Sequence, residues 1–258
     1  MTSSENSTLG LLGIPLSLLA WLVIYFVTIV FSLAGLILLP LSIFFDRGTR
    51  RLMHRVAVGW AHAVLATSPV WAMRREGMEN IIPGQPYVIV ANHQSLLDIF
   101  VVLAALPLHF KFMAKKELFP IPFIGWHMAL AGYIPIDRTS RESGQKAMDM
   151  ARAWLGRGVS VLFFPEGTRS LNGEIQDFKM GAFKIAQECD RAILPIVIDR
   201  TGDAVPKKSW RLRKKTKFYL SVGRRVRVED DRLESLKKLQ EAVRQEMIQR
   251  LAGMREKS

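Results

Sequence analysis

Two clusters in this 258-residue chain combine side chains able to move a proton with side chains able to hold an anion. The first is Asn92-His93-Gln94-Ser95-Leu96-Leu97-Asp98, where a carboxylate follows an imidazole five positions on. If His93 leaves a strand and Asp98 lies in the first turn of the next helix, the carboxylate points back at the loop. There it can accept a hydrogen bond from the ring, fix its tautomer and stabilise the imidazolium. The other ring nitrogen is then free to remove a proton, which makes His93 and Asp98 the candidate catalytic pair. Ser95-x-x-Asp98 ahead of an apolar run is also a capping-box pattern, and taken alone it assigns Asp98 to helix initiation.

The second cluster is Phe164-Pro165-Glu166-Gly167-Thr168-Arg169-Ser170, followed by Lys179 and Gly181. Glycine allows close backbone approach, the threonine hydroxyl and loop amides donate, and arginine offers a bidentate fork to phosphate oxygens. The same residues also suit an ordinary strand-to-helix turn carrying a solvated arginine. GxxxxGK[ST] and GxGxxG are missing, which argues against nucleotide chemistry; GxSxG is missing too, which argues against a lipid hydrolase, although Ser95 beside His93 can imitate a dyad. His54, His62, His109 and His127 read as helix, core or interface residues, none forms HExxH, and no metal is expected. Cys189 is the single cysteine, so the chain forms no internal disulfide, as in a reducing compartment.

These clusters need a scaffold that brings strand exits to one edge. Tyr87–Ala91, Lys111–Ala114, Tyr133–Ile136, Val159–Phe164, Ala192–Ile198 and Lys217–Val222 are short apolar runs that read as strands, with Pro135 confining the third to an edge or bulge. Helical spacing follows Ser95, covers Ser140–Leu155 and Gly181–Glu188, and recurs from Leu233 to Leu251. Alternating strands and helices predict an α/β fold, whose strand exits are the usual ligand edge.

From Asn6 to Phe45 the chain has no Asp, Glu, Lys, Arg or His over 40 residues, which reads as a membrane segment. Pro15 and Pro40 bracket Leu16–Leu39, long enough for one crossing; the alternative is a hairpin bent near Ser32–Gly35 that stays in one leaflet. No Lys or Arg precedes Arg47, unlike a cleaved signal peptide, so the segment is expected to be retained. Arg47, Arg50, Arg51 and Arg55 follow it and place the body on the cytoplasmic side of the membrane, the inner membrane in a bacterium. Leu52, Val56, Gly59, Trp60, Ala63 and Val64 continue as an interfacial amphipathic helix ending near Pro69. Residues 1–70 thus form a helical membrane anchor and 71–258 the α/β domain. Beyond residue 46 the chain has 36 basic against 21 acidic residues, which favours anionic partners.

In order, NHQSLLD, GYIPIDR, FPEGTRS and the apolar ILPIVI block resemble the four motifs of glycerolipid acyltransferases, above all the 1-acyl-sn-glycerol-3-phosphate (lysophosphatidic acid) acyltransferases. They span Asn92 to Ile198, somewhat under half the chain. The resemblance implies a mixed central sheet flanked by helices, with His93 as general base and Asp98 as its orienting partner. It also implies Lys115 and Arg169 as ligands for the acceptor phosphate. Arg138, Glu166, Gly167 and Thr168 match positions associated with acceptor binding. The implied reaction carries an acyl group from acyl-CoA or acyl-carrier protein to lysophosphatidic acid, giving phosphatidic acid at a lipid bilayer. It needs no further cofactor and no nucleic acid. Met180 departs from the pattern, standing where a basic residue is common. Competing readings are transfer to another lysolipid, such as a lyso-ornithine lipid, and a non-catalytic module that binds anionic lipid.

Overall fold

The computed structural model describes residues 5–46, 48–68, 71–205, 210–212, 216–228 and 232–256, with side chains from residue 13 onward. Arg47 and Pro69 therefore lie outside the described residues. Two helices, α1 (Glu5–Phe45) and α2 (Arg51–Ala66), precede an alternating run. It comprises β1 (Trp71–Glu76), β2 (Val88–Ala91), α3 (Asp98–Ala105), β3 (Phe110–Lys115), α4 (Ile124–Ala131), β4 (Ile134–Ile136) and α5 (Arg141–Gly156). It continues through β5 (Ser160–Phe163), α6 (Gly181–Glu188), β6 (Ile193–Asp199), the short α7 (Thr201–Ala204), β7 (Thr216–Val222) and α8 (Leu233–Glu256).

The strands form one mixed sheet in the order β1-β7-β6-β2-β5-β3-β4. From β6 to β4 neighbours are parallel, whereas β7 runs antiparallel to β6 and pairs with β1 in parallel. Both faces are covered, so alternate residues of one strand enter different cores. Ile89 and Ala91 pack with α3 and with Met53, Ala57 and Ala61 of α2; Val88 and Val90 pack with α5, α6 and α8. This explains the unbroken apolar runs at β2, β5 and β6. As its proline predicts, β4 is an edge strand.

Strand β2 sends its chain through α3 to β3, and β5 sends its chain through α6 to β6, in opposite directions on opposite faces. The crevice where such connections diverge, beyond the carboxyl ends of the strands, is where open α/β sheets bind ligands. His93 lies three residues past Val90 and Glu166 three past its register partner Phe163, so both clusters open into this crevice.

Helix α1 differs from expectation. It runs without a break through Ser32–Gly35, and both Pro15 and Pro40 lie inside it rather than at its ends. Proline is tolerated within an apolar helix where neighbouring groups take up the freed backbone positions. A stripe of Ser17, Ile24, Thr28, Ser32, Gly35 and Ser42 is buried, while Leu16, Leu22, Phe26, Ile37 and Phe44 are exposed. The small residues admit close contacts: Trp60 donates to Thr28 Oγ1 at 3.1 Å and Ser32 Oγ to the Phe123 carbonyl at 2.9 Å. The stripe covers 25 helical steps, roughly 37 Å of α1 seated on the body. Arg50 donates to the carbonyls of Ala129 and Leu130 at 2.6 and 3.3 Å, closing the C-terminal end of α4.

After β3 the chain turns tightly at Lys116–Leu118 into α4. A Cβ at Gly125 would lie 1.9 Å from the Phe119 carbonyl oxygen, so only glycine permits this crossing. Replacing Gly125 with alanine should lower stability by about 2–4 kcal/mol. Chemical unfolding of the detergent-solubilised protein measures this; an unchanged midpoint would show that the crossing is loose.

Candidate active site

The two loops beyond β2 and β5 are stitched together by backbone. His93 N donates to Glu166 Oε1 at 2.9 Å, and Ser170 N donates to the His93 carbonyl at 2.7 Å. The ring of Phe164 stacks on the imidazole with centroids 4.2 Å apart. Asn92 fixes the loop on its other side: its amide donates to Ile198 O and accepts from Ile198 N, both at 2.8 Å, extending the sheet pairing by one side chain.

In this frame His93 Nδ1 lies 2.6 Å from Asp98 Oδ2. The same oxygen accepts from the amides of Gln94 and Ser95 at 2.7 and 2.9 Å, and Oδ1 accepts from the Thr201 hydroxyl. Asp98 is fully buried, and His93 keeps part of its ring exposed. The amide bond from Ser95 is half of a capping box. Helix α3 nevertheless begins at Asp98 itself, behind Leu97, with no side-chain cap, so the carboxylate pins the loop and orients the ring rather than capping the helix. With Nδ1 committed as donor, the neutral ring presents a basic Nε2. Among the described residues Nε2 makes no protein hydrogen bond. Ser95 is wholly buried, with its hydroxyl donating to Val205 O at 2.8 Å, so it is not placed to act as a nucleophile.

The cationic candidates lie on the same edge. Lys115 ends β3 opposite Ile136 of β4, and Arg138 follows two residues later. Lys115 is exposed and pairs with Glu117 at 3.3 Å. Arg138 donates to the Gly167 carbonyl. Burial, together with the nearby Arg169 charge, holds the Arg138 guanidinium below its usual pKa, so the two arginines face one region. Gly167 has φ +73°, and a Cβ there would come within 2.9 Å of Lys179 Nζ. Thr168 is exposed and Arg169 partly so.

Glu166 differs from the acceptor-binding position the resemblance gives it. The residue is only 6 % exposed, and its carboxylate oxygens accept from His93 N and from Gln176 N at 3.3 Å. It secures the loops to each other. The lone histidines sit as expected: His54 and His127 are buried, and burial lowers them to about 3 and about 4. Among the described residues no cluster of three or more His, Cys, Asp or Glu is placed to hold a metal.

The acyltransferase family model matches residues 72–199, from β1 to the end of β6, including both loops and every cationic candidate. The chain belongs to the acyltransferase family. A 1-acyl-sn-glycerol-3-phosphate acyltransferase of Chlamydomonas reinhardtii is 42% identical over 172 residues, 66% of this chain and 51% of that protein. The chloroplastic enzyme of that name from Arabidopsis thaliana is 39% identical over 65% of this chain and 46% of its own length. The chain thus spans about half the length of these curated relatives. The crystal structure of PlsC, the 1-acyl-sn-glycerophosphate acyltransferase of Thermotoga maritima, superposes with a TM-score of 0.76 at 29% identity, covering 92% of this chain and 96% of that one.

Within this acyltransferase domain Phe164 and Asn92 stand inside the sequence motifs, yet neither residue type announces a ring stack or a sheet-like amide bridge. Both depend on strand order, which short-range spacing does not encode.

Burial pushes the Glu166 carboxyl up to about 7, the amides of His93 and Gln176 oppose this, and the Asp98 charge adds to it. Its folded pKa lies above the ordinary 4.5, so the folded state binds more protons between these values. The resulting stability is complete below about pH 4.5 and disappears as pH rises through about 7, a loss on the order of 3 kcal/mol. In Glu166→Gln this fall should flatten, whatever the absolute stability. Denaturant unfolding at a series of pH values gives the slope; an unaltered slope would assign it to another group.

Proposed function

We propose that the protein transfers an acyl group from a thioester, acyl-CoA or acyl-carrier protein, to the sn-2 hydroxyl of 1-acylglycerol 3-phosphate, forming phosphatidic acid. The observation that carries this reading is the His93–Asp98 pair, 2.6 Å apart, which leaves Nε2 uncommitted at the edge where Lys115, Arg138 and Arg169 gather. The relatives named as 1-acyl-sn-glycerol-3-phosphate acyltransferases support the choice of acceptor.

An alcohol is a poor nucleophile at neutral pH. Nε2 takes its proton as the oxygen attacks the thioester carbonyl, a C–O bond forms, the C–S bond breaks, and the departing thiolate receives the proton. Asp98 holds the ring in the required tautomer and stabilises the imidazolium. Lys115, Arg138 and Arg169 hold the acceptor phosphate, with Gly167 and Thr168 shaping the loop beneath it. Fixing the phosphate fixes the hydroxyl, and such positioning can supply several kcal/mol of the barrier reduction. Glu166 positions the His93 loop. No metal or other cofactor enters the scheme.

The exposed apolar stripe of α1 gives the anchor segment a membrane-facing layer on the cytoplasmic side; α2, expected from its spacing to lie at the interface, instead packs between α1 and the sheet, because its apolar residues face both. Because its opposite stripe is seated on the body, α1 lies along one leaflet. Tyr25 and Ser32 hold the segment leaving Lys115 against this layer, where an anionic lysolipid resides. Nucleic acid has no part in this reading.

The direct test incubates purified protein with labelled acyl-CoA or acyl-carrier protein and a panel of lysolipids, with products identified by mass. Product from lyso-ornithine lipid but not from lysophosphatidic acid would move the assignment to that acceptor. His93→Ala should lower turnover by a factor of about 1,000 or more while leaving circular dichroism and vesicle association intact. Retained turnover removes His93 from its role. Arg169→Ala should raise the acceptor KM about tenfold or more and leave the donor KM within twofold. Equal shifts in both would remove Arg169 from the phosphate site.

A further inference from the structure

The short helix α7 grips the turn that carries the catalytic pair at two points. Thr201 Oγ1 donates to Asp98 Oδ1, and Ser95 Oγ donates to Val205 O at 2.8 Å. Thr201, Ser95 and Asp98 are each fully buried, so neither hydroxyl has water as an alternative partner. Thr201 is 103 residues from Asp98 in sequence and lies two residues beyond the stretch matched by the family model.

The approach of Thr201 is enforced. Arg200 adopts φ +66°, a left-handed conformation unfavourable for a residue with a Cβ, and this reverses the chain as it leaves β6. Its guanidinium lies 5.3 Å from the Tyr219 ring, which helps to hold that turn. The Asn92–Ile198 amide bridge locks the β6 end to the loop bearing His93. Backbone conformation, ring contact and side-chain bridge all bring one hydroxyl onto the carboxylate oxygen that His93 does not use.

We propose that Thr201 is a positioning residue of the proton-transfer array, a third member behind His93 and Asp98 that fixes the carboxylate's rotation and tempers its charge. The inference rests on His93 acting as the base. With Thr201 donating to Oδ1, the carboxylate plane is fixed and Oδ2 stays aimed at Nδ1. Part of the negative charge is also taken up by the hydroxyl, so the imidazolium is stabilised less than a bare carboxylate would stabilise it. Loss of the hydroxyl should therefore show in the pH profile of turnover as well as in its rate.

The other charged groups around the array are Glu166 at the β5 exit, and Asp199 at the end of β6, which pairs with Arg255 of α8 at 3.3 Å. Arg200 adjoins Thr201 itself. All are retained in the variants below, so a change in titration is referable to the hydroxyl.

The full-length protein in detergent, its Thr201→Val, Thr201→Ser and His93→Ala forms, and a matched thioester and lysophosphatidic acid decide the matter. Thr201→Val should lower kcat about tenfold or more with both KM values within twofold, and should move the acid limb of kcat/KM to higher pH. Thr201→Ser should restore both. A merely structural threonine would lower the unfolding midpoint without moving the limb, and that result overturns the proposal, as does wild-type kcat in Thr201→Val. If Thr201→Val does not fold, Thr201→Ala replaces it, and an acid limb equal to that of Thr201→Ser overturns the proposal. Turnover by His93→Ala would instead sink the reading beneath it, whereas inactive His93→Ala beside normal Thr201→Val sinks this inference alone.

Discussion

A carboxylate withdrawn completely from water is the constraint around which this molecule is arranged. An isolated buried charge is expensive, and it is tolerated only when hydrogen bonds replace the lost hydration. Asp98 has four donors: the amides of Gln94 and Ser95, the His93 ring and the Thr201 hydroxyl. They come from the β2 exit and from α7. The donor set is complete only when β2 and β6 are paired and the chain beyond β6 has turned back. Formation of the array is thereby coupled to assembly of the central sheet, and the catalytic geometry follows from satisfying a charge.

The same logic explains the Glu166 loop. Its carboxylate is buried against the His93 and Gln176 amides, close enough to Asp98 for the two to repel. A second ionised group there adds to the cost, and burial raises its pKa while Asp98 keeps its four donors. Two acidic side chains of equal chemistry thus acquire different tasks from their partners. One aims an imidazole; the other joins two loops. Phe164, stacked on the ring, limits its rotation out of the crevice.

Much of this was legible in the sequence. Strands β2, β5, β6 and β7 and helices α5, α6 and α8 coincide with apolar runs or helical spacing, because both faces of the sheet are covered and each strand must be apolar throughout. Strand β1 was not legible, since Arg74, Arg75 and Glu76 on a half-exposed edge break any alternation. Helix α4 was missed for the opposite reason: IGWHMALA is apolar around its circumference, with Pro120 and Pro122 just ahead, and offers no polar face to set a period. For α1, composition reveals an apolar segment, but the rule that makes Pro15 and Pro40 boundaries holds in water and weakens in apolar surroundings. In the site, residue types and local spacing gave the His93–Asp98 pair. The inward turn of Glu166 and the role of Thr201 depend on which strands are neighbours, and no local pattern records that.

On the opposite side of the crevice the electrostatics run the other way. Partial burial disfavours the Arg138 charge, and Arg169 stands close enough to add to that penalty. Arg138 is tied to the Gly167 carbonyl, at a residue whose positive φ leaves no room for a side chain beside Lys179. The cations are therefore held together by the backbone against their mutual repulsion. In the proposed reaction, an acceptor phosphate bound between them would relieve that repulsion and so bind more tightly than to solvated arginines. Because these groups share the strand edge with His93, that energy would, in the proposed reaction, fix the remainder of the acceptor relative to Nε2. Contacts remote from the reacting bond can in this way lower the barrier to chemistry in which they take no covalent part.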